Sequence, residues 1–107
     1  MVGNYLFTVS LEGYLVVIEK RTGNIIKVTD VFRNFKKKKR DKIKPVGFIM
    51  GNKNIYLTTD NGRLLVIDIK TGRTNSILKI DNGKISRPFT LNKNLYVVKD
   101  NSIIKLD

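Results

Sequence analysis

The sequence predicts an all-β protein made of antiparallel β-propeller blades, a partial propeller of about two and a half blades. The first observation is a unit that occurs three times, in which two short strands join at a tight turn. The second is the abundance of β-branched residues between turns that are spaced too closely for helices. A period of roughly 40–50 residues made of short strands is typical of propeller blades, which cannot bury their faces alone.

The clearest copy of the repeat spans residues 54–72. The copy at 6–23 aligns with it without a gap, and the copy at 92–107 aligns through its first hairpin. The matched positions are Gly13 with Gly62, Thr22-Gly23 with Thr71-Gly72, Asn92-Lys93-Asn94 with Asn52-Lys53-Asn54, Tyr96 with Tyr56, and Asp100-Asn101 with Asp60-Asn61. Chance alternation of apolar residues would not put these turns in register.

The turns in the repeat have a physical reason. Asn61-Gly62 predicts a type I′ hairpin, because both residues adopt positive φ angles readily. In the second turn, the carboxylate of Asp68 is expected to accept backbone N–H bonds while Gly72 takes a left-handed conformation.

The repeats predict a single domain over 1–107, with blade repeats 4–32, 45–81 and 87–107 and a basic inter-blade loop at 33–44. Their strands give an opening blade without an inner strand, a complete middle blade, and a closing blade without an outer strand. Unpaired strand edges invite pairing with other chains, so we expect self-association through the open blade edges. A β-sandwich would also explain continuous apolar runs such as 64–67.

The stretch from Ile55 to Gly62, followed by an apolar strand and then Asp68-Ile69-Lys70-Thr71-Gly72, resembles the repeat of the quinoprotein-like (PQQ-like) β-propellers. Within them the sequence is most similar to the BamB family of bacterial outer-membrane assembly lipoproteins. The resemblance implies a non-enzymatic scaffold without a cofactor, which binds other proteins of the outer-membrane assembly machinery. It also implies a periplasmic or outer-membrane-associated location, although residues 1–5 do not begin a signal peptide.

The sequence departs from that family at the tryptophan that usually follows the Thr-Gly turn and docks between blades. Lys27 and Ser76 occupy this place. Blade packing is therefore expected to depend on four aliphatic residues instead. These are Ile25, Ile26, Ile77 and Leu78.

The composition excludes several kinds of chemistry and predicts that the protein is not an enzyme. With no His and no Cys, there is no Ser-His or Cys-His nucleophile system and no expected zinc site. Most of the nine carboxylates fall at turns, where a structural role is expected, and no catalytic, cofactor-binding or metal-binding residue is predicted. A fragment of a PQQ-dependent quinoprotein dehydrogenase, which would use a quinone and calcium, remains the enzymatic alternative.

Positive charge is concentrated in the segment 33–44. It holds eight cations and one anion in a chain of net charge +12. Such clusters bind the phosphates of nucleic acids or anionic lipid head groups. The alternative is a solvated inter-blade loop with no ligand. The candidate polyanion- or partner-binding residues are Arg33, Lys36, Lys37, Lys38, Lys39, Arg40, Lys42 and Lys44.

Overall fold

A computed structural model describes residues 4–106 of the chain. These residues form ten β-strands and one helical turn. In chain order they are β1 (Tyr5–Val9), β2 (Tyr14–Glu19), β3 (Ile25–Asp30), α1 (Lys37–Arg40), β4 (Pro45–Met50), β5 (Asn54–Thr59), β6 (Arg63–Asp68), β7 (Thr74–Lys79), β8 (Phe89–Leu91), β9 (Asn94–Lys99) and β10 (Ser102–Leu106).

The strands form three sheets in which each strand pairs with its neighbour in the chain. We call them blade 1 (β1-β2-β3), blade 2 (β4-β5-β6-β7) and blade 3 (β8-β9-β10). All seven pairings are antiparallel. The predicted arrangement of three, four and three strands is therefore confirmed, and the sandwich alternative is not needed.

The repeat is visible in the strand geometry as well as in the turns. The pairing of β2 with β3 shifts register between Val17 and Ile18. The pairing of β6 with β7 shifts between Val66 and Ile67, which are the matching positions of the repeat. A bulge at the same place in two blades increases the local twist of both outer strands in the same way.

The prediction of a type I′ turn at Asn61-Gly62 is wrong. Gly62 has a φ of 77°, but Asn61 is not among the residues with positive φ. The N–H of Gly62 donates to the carbonyl of Thr59 at 3.2 Å, so the hairpin is a three-residue loop that ends in a left-handed glycine. Positive φ at both central residues occurs instead at Asn92 and Lys93, with values of 51° and 67°.

The turn after β6 forms as the sequence predicts. The Oδ1 atom of Asp68 accepts the N–H groups of Lys70 at 2.7 Å and Thr71 at 3.2 Å. Gly72 has a φ of 75° and donates its N–H to the carbonyl of Asp68 at 2.8 Å. This turn ends one strand and starts the next with its backbone groups satisfied.

The main core lies between blade 1 and blade 2. Its buried members come from β2, β5, β6 and the segment between β3 and β4. They are Leu15, Val31, Phe32, Ile43, Ile55, Leu57, Leu65 and Ile67. Five of these eight side chains are leucines or isoleucines on strands of the two sheets, and burial of their apolar area stabilises the fold.

The expectation that four aliphatic residues replace the docking tryptophan is mostly wrong. Ile25, Ile26 and Leu78 are exposed by 62%, 51% and 43%, and only Ile77 packs against the core. The reason is position: β3 and β7 are the outer strands of their blades, whereas the core is filled from the inner strands and from Phe32.

The Thr-Gly turns show where blades are stacked. Gly72 is buried against blade 1, and a Cβ atom placed there would lie 3.1 Å from the Cβ of Thr29. Its repeat counterpart Gly23 is exposed, with nothing within 4 Å of the same position. The two turns have the same conformation, so the difference comes from the neighbouring blade alone.

Candidate functional site

The basic segment 33–44 connects β3 of blade 1 to β4 of blade 2. The sequence predicts a loop there, but the structure places one turn of α-helix, α1, inside it. The N–H groups of Lys39 and Arg40 both donate to the carbonyl of Lys36 at 2.9 Å. Lysine and arginine are good helix formers, so a short turn is compatible with this composition.

Apolar residues on both sides of α1 anchor the segment to the core. Phe32 and Ile43 are 0% and 4% exposed. The ring of Phe35 meets that of Phe32 edge to face, with centroids 5.4 Å apart. The basic segment is therefore fixed to the junction of blades 1 and 2 by its apolar members, and its lysines project from this anchored backbone.

Arg40 has a structural partner and differs from the other cations of the segment. Its two terminal nitrogens donate to the two carboxylate oxygens of Asp30, each at 2.7 Å. Its guanidinium also lies 5.9 Å from the ring centroid of Tyr14 and reaches the carbonyl of Glu12 at 3.4 Å. This bidentate ion pair joins the end of α1 to the end of β3.

The same contact changes the acidity of Asp30. The hydrogen bond from Arg40 lowers the pKa of the Asp30 carboxyl below its ordinary value of 3.8, and the N–H of Phe32 acts in the same direction. Asp30 is therefore ionised at neutral pH, and Arg40 donates hydrogen bonds to both of its oxygens. The charge of Arg33 also lowers the pKa of Asp30, although Arg33 forms no ion pair with it.

The other seven predicted site residues are exposed. None of them forms an ion pair in the part of the chain that the structure describes. They are Arg33, Lys36, Lys37, Lys38, Lys39, Lys42 and Lys44. The structure thus places seven of the eight candidate residues at the surface and one, Arg40, in a structural pair.

Arg33 also lines a polar cleft of about 200 Å³ at the seam of blades 1 and 2. The other lining residues are Asn34, Arg73 and Thr74. Sequence reasoning missed Arg73 as a site residue, because it lies 40 positions from Arg33 and its repeat counterpart is Asn24. Only the stacking of the two blades brings the arginines to one cleft.

A second candidate surface is the face of blade 1 that points away from blade 2. Paired residues on neighbouring strands share a face, and here Leu6 pairs with Ile18 and Val16 with Val28. Leu6 and Val28 are exposed by 43% and 55%. We call these four residues the open face of blade 1.

No group of three or more His, Cys, Asp or Glu side chains that could hold a metal ion occurs within residues 4–106. Over the same residues, no helix has the length and apolar character to cross a membrane.

The three stacked sheets define the chain as part of a β-propeller. It is similar to the β-propeller domain of Cps50 (Swd1) from Myceliophteria thermophila, with a TM-score of 0.70 and 18% identity over 88% of this chain. It is also similar to BamB from Moraxella catarrhalis, with a TM-score of 0.68 and 14% identity over 98% of this chain. The predicted fold and the resemblance to BamB in fold are confirmed.

This chain covers 31% of the Cps50 domain and 30% of BamB. At these identities the similarity shows the fold alone. No protein-family model matches the chain, and no curated protein sequence matches it.

Replacing Arg40 with Gln should lower the free energy of unfolding by roughly 1–2 kcal/mol at pH 7, since the pair with Asp30 is charge-assisted but partly exposed. The loss should shrink in acid. Because the folded-state pKa of Asp30 is below its ordinary value of 3.8, the contribution is complete above 3.8 and disappears as pH falls through the folded-state pKa.

Urea denaturation of the wild type and R40Q at pH 7 and in a series below pH 4 measures this effect. The matched control is R21Q, which removes an exposed arginine without an ion pair in residues 4–106. A difference between wild type and R40Q that is independent of pH would show that the Asp30 pair does not cause it.

Proposed function

We propose that this chain is a non-enzymatic β-propeller scaffold that binds other proteins, and that its partners belong to the outer-membrane assembly machinery. The similarity in fold to BamB supports this choice of partner. A periplasmic or outer-membrane-associated location is part of the same proposal. The observation that carries it is the open face of blade 1.

The open face repeats a surface that is buried elsewhere in the same chain. The repeat matches Leu6, Val16 and Ile18 to Ile55, Leu65 and Ile67 of blade 2. Those three blade 2 residues are 0% exposed, because blade 1 covers them. The open face therefore has the composition of a surface that packs against another sheet, and exposed apolar patches of this kind mark interaction sites.

The edge strands of blade 1 add a second element of recognition. Both β1 and β3 pair on one side only within the described residues. An unpaired edge offers backbone N–H and C=O groups to a strand of a partner. On β3 these groups lie beside the exposed aliphatic side chains of Ile25, Ile26 and Val28, so an extended apolar segment is the kind of partner that fits.

The enzymatic alternative, a fragment of a quinoprotein dehydrogenase, would need oxygen ligands for calcium. Residues 4–106 bring no three acidic side chains together. No observation within these residues favours that alternative, and the scaffold remains our proposal.

Replacing Val28 with Asp places a charge in the open face and should weaken binding to the purified outer-membrane assembly complex at least tenfold, because the interface would bury an unpaired carboxylate. The matched control is S76D, which adds the same charge to an exposed position on the outer strand of blade 2. Biolayer interferometry with immobilised complex measures both affinities. Equal binding by wild type, V28D and S76D, or no binding by the wild type, would contradict the proposal.

A second candidate function is polyanion binding by the basic segment. The observation that favours it is the absence of any ion pair, within residues 4–106, for seven of its eight cations. Four of the seven are consecutive lysines that lie on or beside α1. Their charges repel one another unless counterions or a polyanion neutralise them.

Replacing Lys36, Lys37, Lys38 and Lys39 together with Gln should reduce the affinity for a DNA duplex and lower the salt slope by about three to four, since each phosphate contact contributes about 0.9 to it. Fluorescence anisotropy in a salt series measures both quantities. The matched control removes four dispersed exposed lysines, namely Lys20, Lys53, Lys79 and Lys84. If the two variants bind alike, total charge and not the segment controls binding, and the candidate function is wrong.

A further inference from the structure

We propose that the cleft formed by Arg33, Asn34, Arg73 and Thr74 binds one phosphate group. We call it the seam cleft, because Arg33 and Asn34 follow blade 1, whereas Thr74 begins the outer strand of blade 2 and Arg73 immediately precedes it. The inference goes beyond the scaffold function, and it concerns a discrete site with one ligand instead of the diffuse charge of the lysines.

The backbone on both sides of the seam cleft is held in place. The hydroxyl of Thr74 donates to the carbonyl of Val31 at 3.0 Å, a bond from blade 2 to blade 1. Val31 and Phe32, which precede Arg33, are both 0% exposed. Across the same seam, the Nζ of Lys27 donates to the carbonyl of Thr71 at 3.0 Å. These contacts fix the spacing between the two arginine-bearing segments.

The carboxylate of Asp30, whose charge acts on Arg33, lies outside the lining of the seam cleft. This lining contains two arginines and no carboxylate. Asp30 is three residues from Arg33, but both of its oxygens are engaged by Arg40 at 2.7 Å. Neither Arg33 nor Arg73 forms an ion pair among the residues the structure describes. Because Arg40 engages both oxygens of Asp30, Arg33 feels the charge of that carboxylate but forms no ion pair with it, and its guanidinium can donate to a ligand.

The donors of the seam cleft suit a phosphate group. Two guanidinium groups offer planar forks that match phosphate oxygens, and the amide of Asn34 can donate a further hydrogen bond. The hydroxyl of Thr74 already donates to Val31, so it positions the cleft and does not supply a donor.

The size and lining of the seam cleft limit what it can hold. A volume of about 200 Å³ holds a phosphate group and a few waters, since one water occupies about 30 Å³ of liquid. No aromatic side chain lines the cleft, so there is no platform on which a nucleobase could stack. The ligand is therefore recognised by its phosphate group.

The test is isothermal titration calorimetry of the whole chain with inorganic phosphate at low ionic strength. We expect one saturable site per chain, with affinity at least tenfold lower in R33Q and in R73Q. R21Q removes an equally charged exposed residue and should bind like the wild type. The variant with Gln at positions 36–39 should also retain the site, which separates it from polyanion binding by the lysines.

A second variant keeps the proposal testable if R73Q does not fold, as judged by circular dichroism. R73K retains the positive charge but loses the planar guanidinium that can form two parallel hydrogen bonds, so it should bind phosphate with intermediate affinity. Titration with glycerol phosphate distinguishes the sources of the group: equal affinity indicates that the PO₄ group alone is recognised, and tighter binding indicates a phosphate monoester.

Two results would overturn the proposal. One is the absence of saturable binding to the wild type up to ~10 mM of either phosphate compound. The other is binding that R21Q weakens as much as R73Q does, because this would show a response to net charge only. Failure of the scaffold proposal leaves the site intact, since V28D lies on the open face and not in the seam cleft.

Discussion

The burial of apolar side chains between blade 1 and blade 2 is the interaction on which the rest of the molecule depends. A single sheet cannot bury its own apolar face and must pack that face against another element, and here blade 1 and blade 2 pack against each other. Leu15 from one sheet and Leu57 and Leu65 from the other are at most 1% exposed. This contact joins the two sheets into one core, and it positions the basic segment and the seam cleft.

The seam between the blades also organises the charges. Phe32, just before the basic segment, and Ile43, within it, insert into the core, and Arg40 pairs with Asp30 to hold the segment against β3. Because Arg40 engages both oxygens of Asp30, Arg33 forms no ion pair within residues 4–106 and lines the seam cleft with Arg73. In the proposed phosphate site, stability and binding are linked, since the Arg40–Asp30 pair that stabilises the junction leaves Arg33 without an ion pair in residues 4–106.

The sequence predicted the architecture well because turn chemistry is local. Asp68 and Gly72 determine their turn within five residues, and the repeat makes such turns recognisable in each copy. The failures concern contacts between elements. The meeting of Arg33 with Arg73 depends on the stacking of blades 1 and 2, and the exposure of Ile25 and Ile26 depends on their place on an outer strand. The pairing of Arg40 with Asp30 depends on how the basic segment folds back onto β3. No local pattern encodes these relations. The predicted turn type at Asn61-Gly62 is wrong because the hairpin loop has three residues instead of two, and loop length determines the turn type.

The most direct test of blade stacking compares two glycines of the same turn. Gly72 and Gly23 have φ angles of 75° and 74°, so alanine incurs the same conformational cost of about 1–2 kcal/mol at either position. Only Gly72 faces another blade, with Thr29 Oγ1 at 2.7 Å from the added Cβ. If the blades stack, G72A should lower the free energy of unfolding by at least ~1 kcal/mol more than G23A in urea denaturation. Equal losses would contradict the account.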